Sequence, residues 1–420
     1  MTTPSALAAT GWAFSDDPGP AMSRLLATLP ARPRLLGLGE PIHGEELFLR
    51  VRNRLLRHLV EHEGYRSVAL ESDCLAGLMV DEYVAGGAGS LDDVMAHGVS
   101  HGWGAAAGNR ELVAWMRDYN QDRPDGDRLR FFGFDGPLEM MYAASPRRAL
   151  TELRDHLAAH VDPGLLPDDA ALIDDLAGDD ERWTDPAAAM DPSRSVGASA
   201  EAVRLRLLAD DLLALSTAQT PRMRAAASDD DRWRARLHGR TAVGLLRYHA
   251  VMAAPSPSRY ARLMIQRDAM MAGNLLEIAA GEADRGPTLV FAHNGHLQRE
   301  EGRWEVSQLG QTLTWWTAGA IAAADLGERY AFVATAVGTM HHRGLGVPAA
   351  DTVEGVLSTL PDDRYLLDGG RVAAALRDAG LEPVRRADNT DDHGYFPRDP
   401  AHLADSDGIL FLRDVPADKA

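Results

Sequence analysis

Five residues in this chain of 420 carry the chemistry of an acid–base centre: Glu40, His43, Glu71, His293 and His296. They occur in three short blocks, Gly39-Glu40-Pro41-Ile42-His43-Gly44, Glu71-Ser72-Asp73 and His293-Asn294-Gly295-His296. Imidazole titrates near neutrality, so a histidine can take a proton from water and later return it to a leaving group. A carboxylate beside it fixes the tautomer and stabilises the imidazolium. Such a set suits hydrolysis without a covalent intermediate. Taken singly, each residue has an ordinary reading. Glu40 could cap the following helix, His43 could be a turn histidine, and HxxH could be two structural imidazoles.

Position separates the two readings. Arg34–Gly39 (RLLGLG) is an apolar run that reads as a buried strand. Residues Glu45 to Glu63 then place Leu47, Phe48, Val51, Leu55, Leu59 and Val60 at helical spacing, with Arg50, Arg54, Arg57 and Glu61 on the other face. Gly64 ends that helix and Ser67–Leu70 begins a second strand. Short loops around a helix of this length imply parallel strands joined by a right-handed crossover. Leu129–Phe134, Thr288–Ala292, Tyr330–Ala336 and Ile409–Leu412 are further predicted strands, with helices over Asn109–Asn120 and Tyr260–Ala280. Strands alternating with helices predict an α/β fold with a mainly parallel central sheet flanked by helices. Ligands bind at the carboxyl ends of such strands. Four predicted strands end in ionisable residues: Glu40, Glu71, Asp135 and His293.

Residues 145–255 shift to Ala, Leu, Arg and Asp, with predicted helices over Arg147–His160, Ala200–Ser216 and Arg232–Met252. We read this stretch as a helical insertion or cap within a single domain spanning 1–420. The polar segment Asp179–Ser199 reads as a mobile connection.

Composition excludes several classes. The formal net charge of −19 repels nucleic-acid backbones and anionic membranes. No apolar run is long enough for a transmembrane helix, and the N-terminal stretch does not read as a signal peptide. A single cysteine, Cys74, rules out an internal disulfide and a Cys-based zinc site. It reads as structural. These features predict a cytoplasmic protein, monomer or homodimer, acting on a small molecule. No G-x-S-x-G elbow, P-loop or strand-linked G-x-G-x-x-G is present, so direct attack by water is favoured over an acyl-enzyme. Three histidines and several carboxylates would also suit a divalent metal, and the residues alone leave that open.

The block GLGEPIHGEELFLRVRNRLLRHLVEHEGYRSVALESD, followed by FFGFD (Phe131–Asp135), Gln266-Arg267-Asp268 with Met271 and Asn274, and FAHNGH (Phe291–His296), resembles the erythromycin esterase family. The resemblance spans most of the chain with the motifs in family order. It implies a hydrolase that needs no metal or other cofactor and opens a macrolide lactone with water. It implies His43 as the general base, Glu71 as the carboxylate orienting the water or the imidazole, and Glu40, His293 and His296 as the remaining polar cluster. A protonated His293 or His296 would donate to the leaving group or stabilise the oxyanion. Arg52 matches the family's helix arginine, expected to hold a carboxylate ionised. Arg52, His101 and Asp135 are the expected substrate contacts. Pro41 departs from the small residues found there in relatives and removes an amide donor from the turn. His341, His342 and the segment Asp392–Phe396 are further candidates for lining or closing a cleft. Two other functions share these residues: a natural-product tailoring enzyme performing cyclisation, dehydration or acyl transfer, and a non-catalytic binding or immunity protein.

Overall fold

A computed structural model of the protein describes residues 3–139, 142–167, 170–306, 310–387 and 394–417. Eight strands form one sheet in the order β1-β11-β12-β10-β2-β7-β3-β4. In chain order they are β1 (Gly11–Ala13), β2 (Leu35–Glu40), β3 (Ser67–Asp73), β4 (Arg130–Asp135), β7 (Thr288–His293), β10 (Tyr330–Thr339), β11 (Arg364–Asp368) and β12 (Gly408–Asp414). Two short hairpins supply β5 (Leu138–Glu139) with β6 (Tyr142–Ala143), and β8 (Glu301–Val306) with β9 (Gln311–Trp316). β12, β10, β2, β7 and β3 pair parallel, while β11 and β1 add an antiparallel edge. The mainly parallel sheet read from the sequence is therefore present. Its strands are apolar at nearly every position because helices cover both faces.

The chain divides into two compact units. The first comprises residues 1–71, 79–132 and 275–420 and holds most of the sheet. Its helix Glu46–His62 buries Phe48, Val51, Leu55, Leu56, Leu59 and Val60 in one core with Leu36, Leu38, Val68, Leu70, Leu289 and Phe291. Each such side chain contributes about 1.5–3 kcal/mol by leaving water. That helix also caps a neighbour, for the Glu46 carboxylate accepts the Ala107 and Gly108 amides at 2.7 and 2.8 Å.

The second unit comprises residues 72–78 and 133–274. Its helices Arg147–His160, Ala200–Ala218 and Asp229–Met252 close a separate core of Leu150, Leu153, Leu205, Leu212, Ala242 and Leu246. Residues 179–199, read as a mobile connection, form a run of 3-10 turns instead. Asp185, Asp191 and Ser195 each accept the amide two residues on, the local capping that short polar side chains favour. Cys74 is buried against Thr241 at 3.4 Å. Burial pushes its thiol up to about 12, so it is no nucleophile at neutral pH.

One close approach fixes how β2 ends. Asn294 spans to β10, donating to the Thr335 carbonyl at 2.9 Å and accepting the Thr335 amide at 3.1 Å. It lies over Gly39, where a Cβ would stand 2.1 Å from Asn294 Oδ1. Gly39→Ala is therefore expected to cost about 2–3 kcal/mol of stability in urea unfolding. A variant as stable as the parent would contradict this packing.

Candidate active site

β2, β7 and β3 are neighbours, and their carboxyl ends bring three ionisable groups side by side. Glu40 pairs in register with His293 across β2 and β7. Glu71 follows Leu70, the β3 residue paired with Phe291 of β7, and accepts the His293 backbone N–H at 2.8 Å through Oε2. The chain leaves β2 through Pro41 and Ile42 and turns back at His43, where Gly44 takes φ +84°. This turn aims the His43 ring at the strand ends. Its Nδ1 donates to Glu40 Oε1 at 2.6 Å, and its Nε2 stands 3.9 Å from Glu71 Oε1. His296, on the short helix Asn294–Leu297, places Nε2 3.5 Å from the same Glu71 oxygen. All five residues named from the sequence converge.

Exposure divides them. Glu40, Glu71, His293 and His296 are buried, whereas the His43 side chain is 36% exposed. His43 is thus the member that a molecule arriving from solvent meets. Burial raises the Glu40 pKa above its usual value, with the Glu71 charge adding to the rise, while the His43 hydrogen bond and charge and the Arg52 charge oppose it. Glu40 Oε2 is buried without a hydrogen-bond partner among the described residues. The carboxyl is therefore held in a site where its charge depends on His43 and Arg52.

His293 departs from the expectation of a protonated donor. Its Nε2–H donates to the Pro41 carbonyl at 3.1 Å, and its Nδ1 accepts the Gly295 amide at 3.1 Å. Those two bonds demand the neutral ring. Burial, with the charges of His43 and His296, pushes its pKa down to about 3. The ring braces the Pro41 turn rather than supplying a proton. Pro41 gives up an amide donor, yet its carbonyl accepts from His293 Nε2 and from the Phe396 amide, the latter at 3.1 Å.

Arg52 is likewise corrected. It is fully buried, at 1% exposure, and is neither a surface arginine nor placed to touch a substrate. Its guanidinium donates to Asn53 Oδ1, Asn109 Oδ1 and the Gly108 carbonyl, and lies 4.9 Å from the Phe291 ring centroid. No carboxylate within the described residues comes within ion-pair distance of it. Burial lowers its pKa to about 10, so it stays charged.

Asp135 belongs to the second unit and is completely buried. Arg267 grips it with Nη2 at 2.7 Å and Nε at 3.1 Å, and Asn274 donates to the Phe134 carbonyl at 3.0 Å. The FFGFD and Gln266-Arg267-Asp268 motifs therefore bind one another, and a structural ion pair replaces the expected substrate contact. His101 is partly exposed at a strained φ of +59°. Its ring lies 4.7 Å from Trp103, which lies 4.8 Å from His43. Trp103 belongs to the same histidine-bearing loop, His101-Gly102-Trp103-Gly104, that was a candidate for lining the cleft. Phe396, the last residue of the segment named as a candidate for closing the cleft, meets the His293 ring edge-on at 4.8 Å. Asp392 and His393 lie outside the described residues.

Among the described residues, the group whose metal-donor atoms fall within 4.8 Å of one another is Glu300, His402 and Asp405. Arg398 already engages Glu300 at 2.9 Å, which weakens that donor set.

The neutral His293 ring has a measurable consequence. Between its ordinary value of 6.5 and about 3, the unfolded chain binds a proton that the folded chain refuses. The stability it contributes is therefore full above that window and lost as pH falls through it. His293→Gln should flatten this loss by up to about 1.4 kcal/mol per pH unit, read from urea midpoints above and within the window. Parallel pH profiles for parent and variant would contradict the assignment.

The family described as erythromycin esterase matches residues 60–415, a span holding Glu71, His101, Asp135, His293 and His296 and starting beyond Glu40, His43 and Arg52. Three solved structures share the fold. A protein from Bacillus cereus aligns over 99% of this chain and 97% of its own, with TM-score 0.72 and 18% identity. A succinoglycan biosynthesis protein aligns over 99% and 97%, with TM-score 0.68 and 15% identity. A mutant of erythromycin esterase EreC in its open conformation aligns over 94% of each chain, with TM-score 0.67 and 18% identity. With its motifs in family order and most of its length matched, the chain belongs to the erythromycin esterase family.

Proposed function

We propose that this protein hydrolyses an ester or lactone of a macrolide-like small molecule by direct attack of water, with His43 as general base. The observation that carries the proposal is the 2.6 Å contact of His43 Nδ1 with Glu40. In the neutral ring that contact assigns the proton to Nδ1 and the lone pair to Nε2. Nε2 then faces Glu71 Oε1 across 3.9 Å, a gap that one water can bridge by donating to both atoms. As the water oxygen bonds to the carbonyl carbon, Nε2 takes one of its protons. The ring becomes an imidazolium that Glu40 stabilises at the other nitrogen. The carbon–oxygen bond to the leaving group then breaks, and the imidazolium returns its proton to the departing alkoxide. The products are an acid and an alcohol, joined in one opened chain for a lactone.

The neighbours have distinct parts. Glu71 orients the water, and His296 holds the same Glu71 oxygen. His293 acts as a positioning residue through its amide on Glu71 and its ring on Pro41. The buried Arg52 charge favours ionised Glu40 without contacting it. Membership of the erythromycin esterase family supports hydrolysis over the tailoring and binding alternatives.

A macrolide lactone incubated with the protein should gain the mass of one water, and His43→Gln should lower kcat/KM by ~10²- to 10⁴-fold. Loss of water, or an altered product of unchanged mass, would indicate a tailoring enzyme. Saturable binding of an unaltered macrolide would indicate a sequestering protein. Dialysis against a chelator should leave the rate unchanged, and loss restored by zinc would overturn the metal-independent route.

A further inference from the structure

We propose that Glu45, His342 and Arg343 form a strap that holds the turn bearing His43, which makes them positioning residues for the base. The inference rests on the reading of His43 as that base, though its geometry stands apart from any substrate.

Glu45 occupies the position just before the helix Glu46–His62, where a carboxylate ordinarily accepts helix amides. It accepts none from its side chain. Instead the carboxylate, 6% exposed, turns to the loop following β10. His342 Nε2 donates to Glu45 Oε2 at 2.8 Å, and Arg343 Nε donates to Oε1 at 2.8 Å. The same guanidinium donates through Nη2 to the His43 carbonyl at 2.7 Å. One planar fork thus ties the backbone of His43 to the side chain of Glu45, two residues on.

The other end of the strap is rigid. Met340 and Leu345 exchange two backbone hydrogen bonds, at 2.9 and 3.1 Å, that close the His341–Arg343 turn. Both side chains are completely buried in the sheet core, and Gly344 supplies the left-handed residue, with φ +78°, that the turn needs. β10 lies directly beside β2, so the two loops leave adjacent parallel strands at the same end. The His43 ring itself is faced by Glu40, Glu71, His293 and Trp103. None of these fixes its backbone, and the strap does. Arg343 cannot be exchanged for lysine on this account, because a single ammonium cannot span both acceptors in the fork geometry.

Imidazole nitrogen NMR of isotope-labelled protein tests the strap without a substrate, with His43→Gln assigning the resonances. The intact protein should show His43 as one tautomer, protonated at Nδ1. Glu45→Gln and Arg343→Lys should each mix the tautomers, while Arg371→Lys, at a remote helix end, should not. Arg343 is 40% exposed, so lysine is accommodated and the fold is checked by its melting midpoint. A parent-like tautomer in both strap variants would overturn the proposal, whether or not they melt earlier. In macrolide hydrolysis the same variants should lose ~10-fold or more in kcat with KM held. If the parent turns over no macrolide, the hydrolase reading fails, and the nitrogen spectrum still decides the strap.

Discussion

The register of three adjacent parallel strands governs the rest of this site. Once Glu40 on β2 is paired with His293 on β7, and the His293 amide is given to Glu71 on β3, the ionisable groups lie about one strand spacing, ~4.8 Å, apart. Groups that close and that buried cannot all be charged without compensation. The fold answers in three ways. His293 is kept neutral by backbone bonds on both nitrogens, Arg52 supplies a buried positive charge held by amides, and His43 alone of the five projects far enough to meet solvent. Gly39 is demanded by the same register, since Asn294 fills the space its side chain would take.

Much of this was legible from residue order. The central strands are continuous apolar runs because both faces are covered, so Arg34–Gly39 announced β2 to within one residue. The helices at Glu46–His62 and Arg147–His160 followed from periodicity. Strand ends then pointed to the five converging residues. What escaped were local signals too short or too quiet to read. β1 is three residues long, and the β8–β9 ribbon shows its period only in the short inward alternation of Gly302, Trp304 and Val306.

The larger gaps concern partners. Whether Asp135 greets a substrate or an arginine depends on Arg267, 132 residues away, and both motifs are visible without their pairing being so. His293 resembled an acid until the Pro41 carbonyl and the Gly295 amide claimed its nitrogens. Arg343 lies in no quoted motif, Glu45 carries no role in its block, and the two meet only because β10 lies beside β2. Sequence periodicity reports which face is buried, not which polar atoms meet there. The same limit applies to function. A shared fold at 18% identity transmits the strand framework, while the bond that is broken is set by groups grafted onto it.

The central claim is that water, unassisted by a protein nucleophile, attacks the ester carbonyl. A single turnover of a macrolide lactone in heavy-oxygen water tests it most directly. The account predicts one labelled oxygen in the newly formed carboxylate of the product and none in the protein. Label first appearing in the carboxyl of Glu40 or Glu71, with unlabelled product, would instead mean a covalent acyl intermediate on that residue and would contradict the account.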